Sequence, residues 1–180
     1  MDPMYQVNDS IVYGTYGVCR ITEITQRSFR GNKVDYYVLK PVHDDNSTFF
    51  VPVNNEALVE KMRCILSEDE IYRILRKTAE ASASWVEDAG TRKELFQQAL
   101  SRGDRGEVLA LIKALHLHQE ELQQKGKHLH VADERFLRDA EKMLYDEFSL
   151  VLHIDRDQVL PFILEKIRSY EKEAAVLKCS

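Results

Sequence analysis

The sequence predicts an α+β protein: a small Tudor- or SH3-like antiparallel β-barrel over residues 1–64, then an all-helical bundle of about five helices over 65–180. Two observations predict it. From Tyr5 to Val53 the apolar residues are β-branched or aromatic and arrive in short runs broken by turn residues, which suits pleated strands. After Met62 they recur every three to four residues behind helix-capping sequences, which suits amphipathic helices.

The strands are expected at IVYG (11–14), VCRITEI (18–24), VDYYVLKPV (34–42) and TFFVPV (48–53). Gly14 and Gly17 flank one tight connection, RGNK (30–33) forms a hairpin tip and HDDNS (43–47) a second polar turn. Pro41 and Pro52 fall near strand ends, where a missing N–H is tolerated. In SEDE (67–70), Ser67 and Glu70 stand at capping-box spacing, so the first long helix is expected from Ser67 to Ala81. TRKE (91–94) repeats the pattern ahead of an apolar face of Leu95, Phe96, Ala99 and Leu100, with Gly103 placed to end that helix. Asp104 and Glu107 can cap the next, whose Val108, Leu111, Ile112, Leu115 and Leu122 run to Gly126. Another helix is expected from Ala132 to Leu150, with Phe136, Leu137, Ala140, Met143, Leu144 and Phe148 inward. The last starts near Asp155 or Asp157 and carries Val159, Phe162, Ile163 and Ile167, with Pro161 tolerable near its start.

At 180 residues, 44% apolar and 31% charged, the chain has the composition of an ordinary globular protein, with enough length for one good core or two small ones. No apolar run reaches the roughly 18 residues of a membrane span, and MDPMYQVND lacks the pattern of a signal peptide. A cytoplasmic protein without a membrane partner is expected, acting as a monomer. Cys19, Cys64 and Cys179 are odd in number and widely spaced, which suggests neither a disulfide framework nor a cysteine-based zinc site. The net charge of −5 argues against coating nucleic acid by charge alone, so any DNA contact must be local or lent by a partner.

Signals for catalysis are weak. GxxxxGK[ST], GxGxxG, GxSxG and HExxH are all missing, and no cofactor is implied. Of six histidines, His116 with His118 and His128 with His130 form HxH pairs. On a helix this spacing points two ways, whereas zinc ligands on one helical face need i, i+4, so half-exposed histidines are expected and no metal site is assigned. Tyr5, Tyr13, Tyr16, Tyr36 and Tyr37 raise an aromatic cage, but adjacent Tyr36 and Tyr37 must face opposite sides of a sheet. A barrel edge that takes up a strand from another protein is the better expectation.

Trp85 is the exception to these patterns. The only tryptophan lies in ASASWVEDAG (81–90), among small and acidic residues between two expected helices. A lone tryptophan usually folds back over a core. At a loop, however, an exposed apolar wedge commonly serves recognition, and such side chains can enter the minor groove at a base step.

The opening YQVNDSIVYGTYGVCRITEI, the hairpin RSFRGNKVDYYVLKP, TFFVPVNNEALVEKMR leading into the first helix, the tryptophan after that helix and SRGD (101–104) occur in an order that resembles the CarD/CdnL family of bacterial transcription regulators. Its first domain is shared with the transcription-repair coupling factor. The resemblance implies a Tudor-like domain that binds the β subunit of RNA polymerase and a helical domain held against promoter DNA at the upstream edge of the transcription bubble. There the family's tryptophan, Trp85 here, packs into the minor groove and stabilises the open complex. By the same resemblance Arg27 matches an arginine that contacts the β subunit, and Phe49, Phe50, Val51 and Pro52 match the strand beside it. Phe50 stands where better-known members carry a second arginine, implying a more apolar contact. Val86, Glu87 and Asp88 stand where some members are basic, and carboxylates there repel phosphate. Arg92, Lys93, Arg102 and Arg105 are the expected substitutes at the DNA. Nucleoid association would follow from binding polymerase. The competing expectation is a protein–protein adaptor that docks through the barrel, with Trp85 buried and no DNA contact.

Overall fold

The computed structural model describes residues 4–44, 46–82 and 84–180. Asp45 of the expected HDDNS turn and Ala83 of the tryptophan stretch lie outside the described residues. The chain divides into two compact units, the first ending at Ile65 and the second beginning at Leu66.

The first unit is a five-stranded antiparallel sheet of β1 (Ser10–Tyr13), β2 (Val18–Phe29), β3 (Asn32–Pro41), β4 (Phe49–Pro52) and β5 (Met62–Cys64). The strands are hydrogen-bonded in the order β4-β3-β2-β1-β5, so β4 and β5 stand at its two ends. A single 3-10 turn (Gly14–Tyr16) and a four-residue helix, α1 (Glu56–Val59), complete it. Both α1 and β5 escaped the sequence pattern: β5 has three residues and is defined only by its pairing with β1.

Long strand β2 holds its apolar residues on one face through a β-bulge. Ile21 pairs with Leu39 and Glu23 with Val38, leaving Thr22 as the extra residue, whose hydroxyl donates to the Val38 carbonyl at 3.3 Å. The bulge shifts the alternation so that Ile24, rather than Glu23, joins Cys19 and Ile21 on the inner face. At the β2–β3 tip, Arg30 (φ 50°) and Gly31 (φ 83°) form the two-residue loop, the left-handed pair that matches strand twist in tight hairpins. Tyr5, Ile11, Tyr37, Leu39, Val51 and Met62 close the core.

The second unit contains α2 (Glu68–Glu80), α3 (Ala89–Arg102), α4 (Arg105–Gln124), α5 (Val131–Leu152) and α6 (Arg156–Lys178). The Ser67–Glu70 capping box is formed, Asp104 caps α4 by accepting from the Glu107 N–H, and Gly103 ends α3 at φ 61°. The TRKE expectation is corrected. α3 begins two residues before Thr91, with Asp88 as its cap accepting from the Thr91 N–H at 2.7 Å. On α3, Leu100 is buried, Phe96 and Ala99 pack partly against the core, and Leu95 is exposed. The expected inner residues of α4, α5 and α6 do line one apolar core, with Leu75, Leu109, Leu144 and Phe148 fully enclosed. Among the described residues no helix is long and apolar enough to cross a membrane.

Candidate functional site

Two surfaces gather the residues that sequence reasoning singled out, one on each unit. On the sheet, residues directly opposite across strands share a face. Arg27 pairs with Val34, Tyr36 with Pro52 and Val38 with Phe50, so all six lie on the outer face, away from the core side carrying Tyr37 and Leu39. The Arg27 guanidinium carbon stands 4.0 Å from the centroid of the Phe50 ring, within cation–π range. Beside them Phe29, Val34, Tyr36, Pro52 and Asn54 line a shallow groove. Phe29 is exposed, with Arg30 5.4 Å from its ring centroid, and is an addition to the site residues found from sequence.

The side chains of Phe49 and Val51 face the other way. Val51 is fully buried opposite Tyr37, while Phe49 packs on Tyr13 and Tyr16 with ring centroids 5.6 and 4.5 Å apart. As contacts for a partner they are corrected: the two-residue period of a strand turns them inward, leaving them only the backbone of β4 to offer. That backbone lies at the end of the hydrogen-bonded order, with no strand on its far side among the described residues. No open tyrosine cage forms from these rings. Tyr5 and Tyr37 are buried edge to face, 5.9 Å between centroids, and Tyr36 lies on the opposite surface from Tyr37. Burial pushes the Tyr5 phenol above its ordinary range, with Cys64 adding to the effect.

On the helical unit Trp85 is half-buried and packs against the core. The His118 imidazole of α4 stacks on it, with centroids 3.7 Å apart and planes 11° from parallel. Phe96 of α3 meets it edge to face at 6.5 Å. Arg92, expected at the DNA, is instead buried. Its guanidinium carbon lies 4.6 Å from the Trp85 ring centroid, and Nε and Nη2 donate to Asp133 of α5 at 3.1 and 3.0 Å. Its Nη1 donates to the carbonyls of Val86 and Glu87 at 2.7 and 3.1 Å. A guanidinium with its donors committed in this way is unavailable to phosphate, and Arg92 is corrected from a DNA contact to the support of the tryptophan loop. Asp88, read from sequence as a repulsive charge, caps α3. The helix N–H groups of the cap hold its carboxyl below the usual range.

Arg105 is corrected on the same ground. Its side chain is 12% exposed and pairs through Nε with Glu147, itself 0% exposed. Lys93 and Arg102 do remain at the surface, although Arg102 lies 3.1 Å from the Glu107 carboxylate. The HxH pair of α4 points two ways, as its spacing requires. His116 Nε2 is 3.1 Å from Glu141, which also accepts from Tyr145, whereas His118 faces the tryptophan. His130 Nδ1 accepts from the Ala132 N–H at the start of α5. Among the described residues no cluster of three or more His, Cys, Asp or Glu side chains is placed to hold a metal.

The family model of the CarD-like/TRCF RID domain matches residues 5–63, the span that holds all five strands and α1 up to Arg63. This similarity to a CarD-like/TRCF RID domain supports a transcription-related, polymerase-binding role. The match contains Arg27 and all of β4, and ends before α2. Trp85 and the rest of the helical unit lie outside it.

Proposed function

We propose that the protein is a non-enzymatic transcription regulator that docks on the β subunit of RNA polymerase and acts on the open promoter complex through Trp85, at the upstream edge of the bubble. The RID domain supplies the docking face: Arg27 braced on Phe50, the Phe29 groove and the edge of β4, which suits strand addition. The observation that carries the DNA half of the reading is the setting of Trp85. It is a partly exposed indole on an inter-helix segment whose backbone is fastened by Arg92, the arrangement of a wedge kept at a surface.

A net charge of −5 and only Lys93 and Arg102 at the surface among the four expected cations make unaided DNA binding weak. Tethering to polymerase raises the local concentration of the helical unit and removes the need for a basic surface. To favour the open state the protein must bind it more tightly than the closed one, and a difference of about 1.4 kcal/mol shifts the equilibrium about tenfold. The protein would act as a cytoplasmic monomer that reaches the nucleoid through polymerase.

The contacts of Trp85 with the helical core favour a second reading, an adaptor that docks through the RID domain and leaves DNA untouched. A photo-reactive amino acid at the exposed position 87 separates the two. The regulator reading predicts crosslinks to promoter DNA at the upstream bubble edge only when polymerase is present. The adaptor reading predicts crosslinks to protein alone.

A further inference from the structure

Trp85 is held at its ring as well as at its backbone. Its indole lies nearly parallel to His118 at 3.7 Å, closer than most aromatic pairs, and the imidazole belongs to α4, far along the chain from the loop. The Nδ1 atom of His118 is buried and has no hydrogen-bond partner among the described residues, with the Glu121 carboxylate 3.8 Å away. A buried polar nitrogen left unsatisfied is costly, so packing of this ring is favoured by something other than its hydrogen bonds. The stack on Trp85 is a contact that favours it.

From this geometry we infer that His118 is the positioning residue that orients the Trp85 indole, acting with Arg92 as a two-point clamp on the side chain that meets the partner. Arg92 fixes the strand of backbone after the tryptophan through the Val86 and Glu87 carbonyls, and Asp133 fixes Arg92. His118 then sets the plane of the ring. Without it the indole keeps its edge contact with Phe96 and the Arg92 guanidinium but loses the face that fixes its plane, and part of the entropy of ordering it falls on the binding step instead. The inference rests on the proposed role of Trp85 in the open complex, yet the clamp has a readout of its own.

Because Trp85 is the only tryptophan, its emission reports this contact directly. His118→Phe, which keeps a stacking ring, is expected to leave acrylamide quenching close to that of the wild-type protein. His118→Ala is expected to raise acrylamide quenching and shift emission to the red. In promoter assays His118→Ala should lose most of the effect on open-complex lifetime with polymerase binding retained, and His118→Phe should restore it. Quenching in His118→Ala equal to that of the wild-type protein, or quenching in His118→Phe as high as in His118→Ala, overturns the clamp. Should the wild-type protein leave lifetimes unchanged, the proposed function fails, and emission and quenching alone decide whether the clamp stands.

Discussion

Arg92 and Asp133, 41 residues apart, meet as a buried two-bond ion pair, Nε to Oδ1 at 3.1 Å and Nη2 to Oδ2 at 3.0 Å. The side chains are 10% and 8% exposed, so removing either partner leaves the other charge stranded out of water. Arg92→Ala is expected to cost about 3–5 kcal/mol in urea unfolding and to loosen the Trp85 loop, seen as greater acrylamide quenching of the indole. Asp133→Ala should reproduce both effects. A cost under about 1 kcal/mol, the worth of an exposed pair, would mean that Arg92 reaches solvent after all.

Glu147 makes a comparable junction at the start of the helical unit. One carboxylate oxygen accepts from the Leu66 N–H at 2.8 Å, and both accept from Arg105 at 3.1 Å. Glu147→Ala should therefore cost about 3–5 kcal/mol, whereas Arg105→Met with Glu147→Leu, which replaces the pair by apolar side chains, should lie within about 1 kcal/mol of wild type apart from the lost Leu66 bond. Denaturant midpoints of the single and double variants decide it.

Neighbours on β4 should behave in opposite ways. Val51→Ala empties part of the sheet core and is expected to cost about 1.5–2.5 kcal/mol of stability. Phe50→Ala, on the outer face, should leave stability within about 0.5 kcal/mol and weaken polymerase binding by about 1–2 kcal/mol, as should Arg27→Ala. Unfolding curves paired with binding isotherms to the polymerase β subunit test the split.

Much of this arrangement was legible locally, and the rest was not for physical reasons. The Ser67–Glu70 box and the Gly103 stop are short-range chemistry and read directly from sequence. The inward turn of Phe49 and Val51 was also available, since strand alternation sets Phe50 and Pro52 apart from them. TRKE misled because Asp88 stands three residues before Thr91 and competes for the same cap. The pairing of buried Arg92 and part-buried Arg105 could not be read at all: Asp133 and Glu147 lie 41 and 42 residues further along the chain, and only the packing of α5 brings them there. The same holds for His118 beside Trp85.

Caps also carry a pH dependence with a definite sign. The Asp88 and Glu70 carboxyls sit below their ordinary range in the folded protein, chiefly through backbone N–H bonds from Thr91 and Ser67 respectively. A depressed folded pKa gives stability that is present above the unfolded value and lost as pH falls through the folded one. Acid should thus erode both caps below about pH 4. Asp88→Asn, which keeps a capping oxygen but cannot titrate, should show a flatter stability profile between about pH 5 and 2 than wild type. Parallel profiles from acid-titrated thermal melts would count against the cap.

The proposed action of Trp85, delivered by a polymerase-bound N-terminal domain, is to hold the promoter open. The most direct measurement is the lifetime of heparin-challenged open complexes formed by the cognate RNA polymerase, with no factor, with wild type, with Trp85→Ala and with Phe50→Ala. Wild type is expected to lengthen the lifetime. Trp85→Ala should lose that effect although polymerase binding persists, and Phe50→Ala should lose it but recover it at higher protein concentration. Equal lifetimes for wild type and Trp85→Ala would contradict the proposed action and leave the RID domain as the anchor of an adaptor.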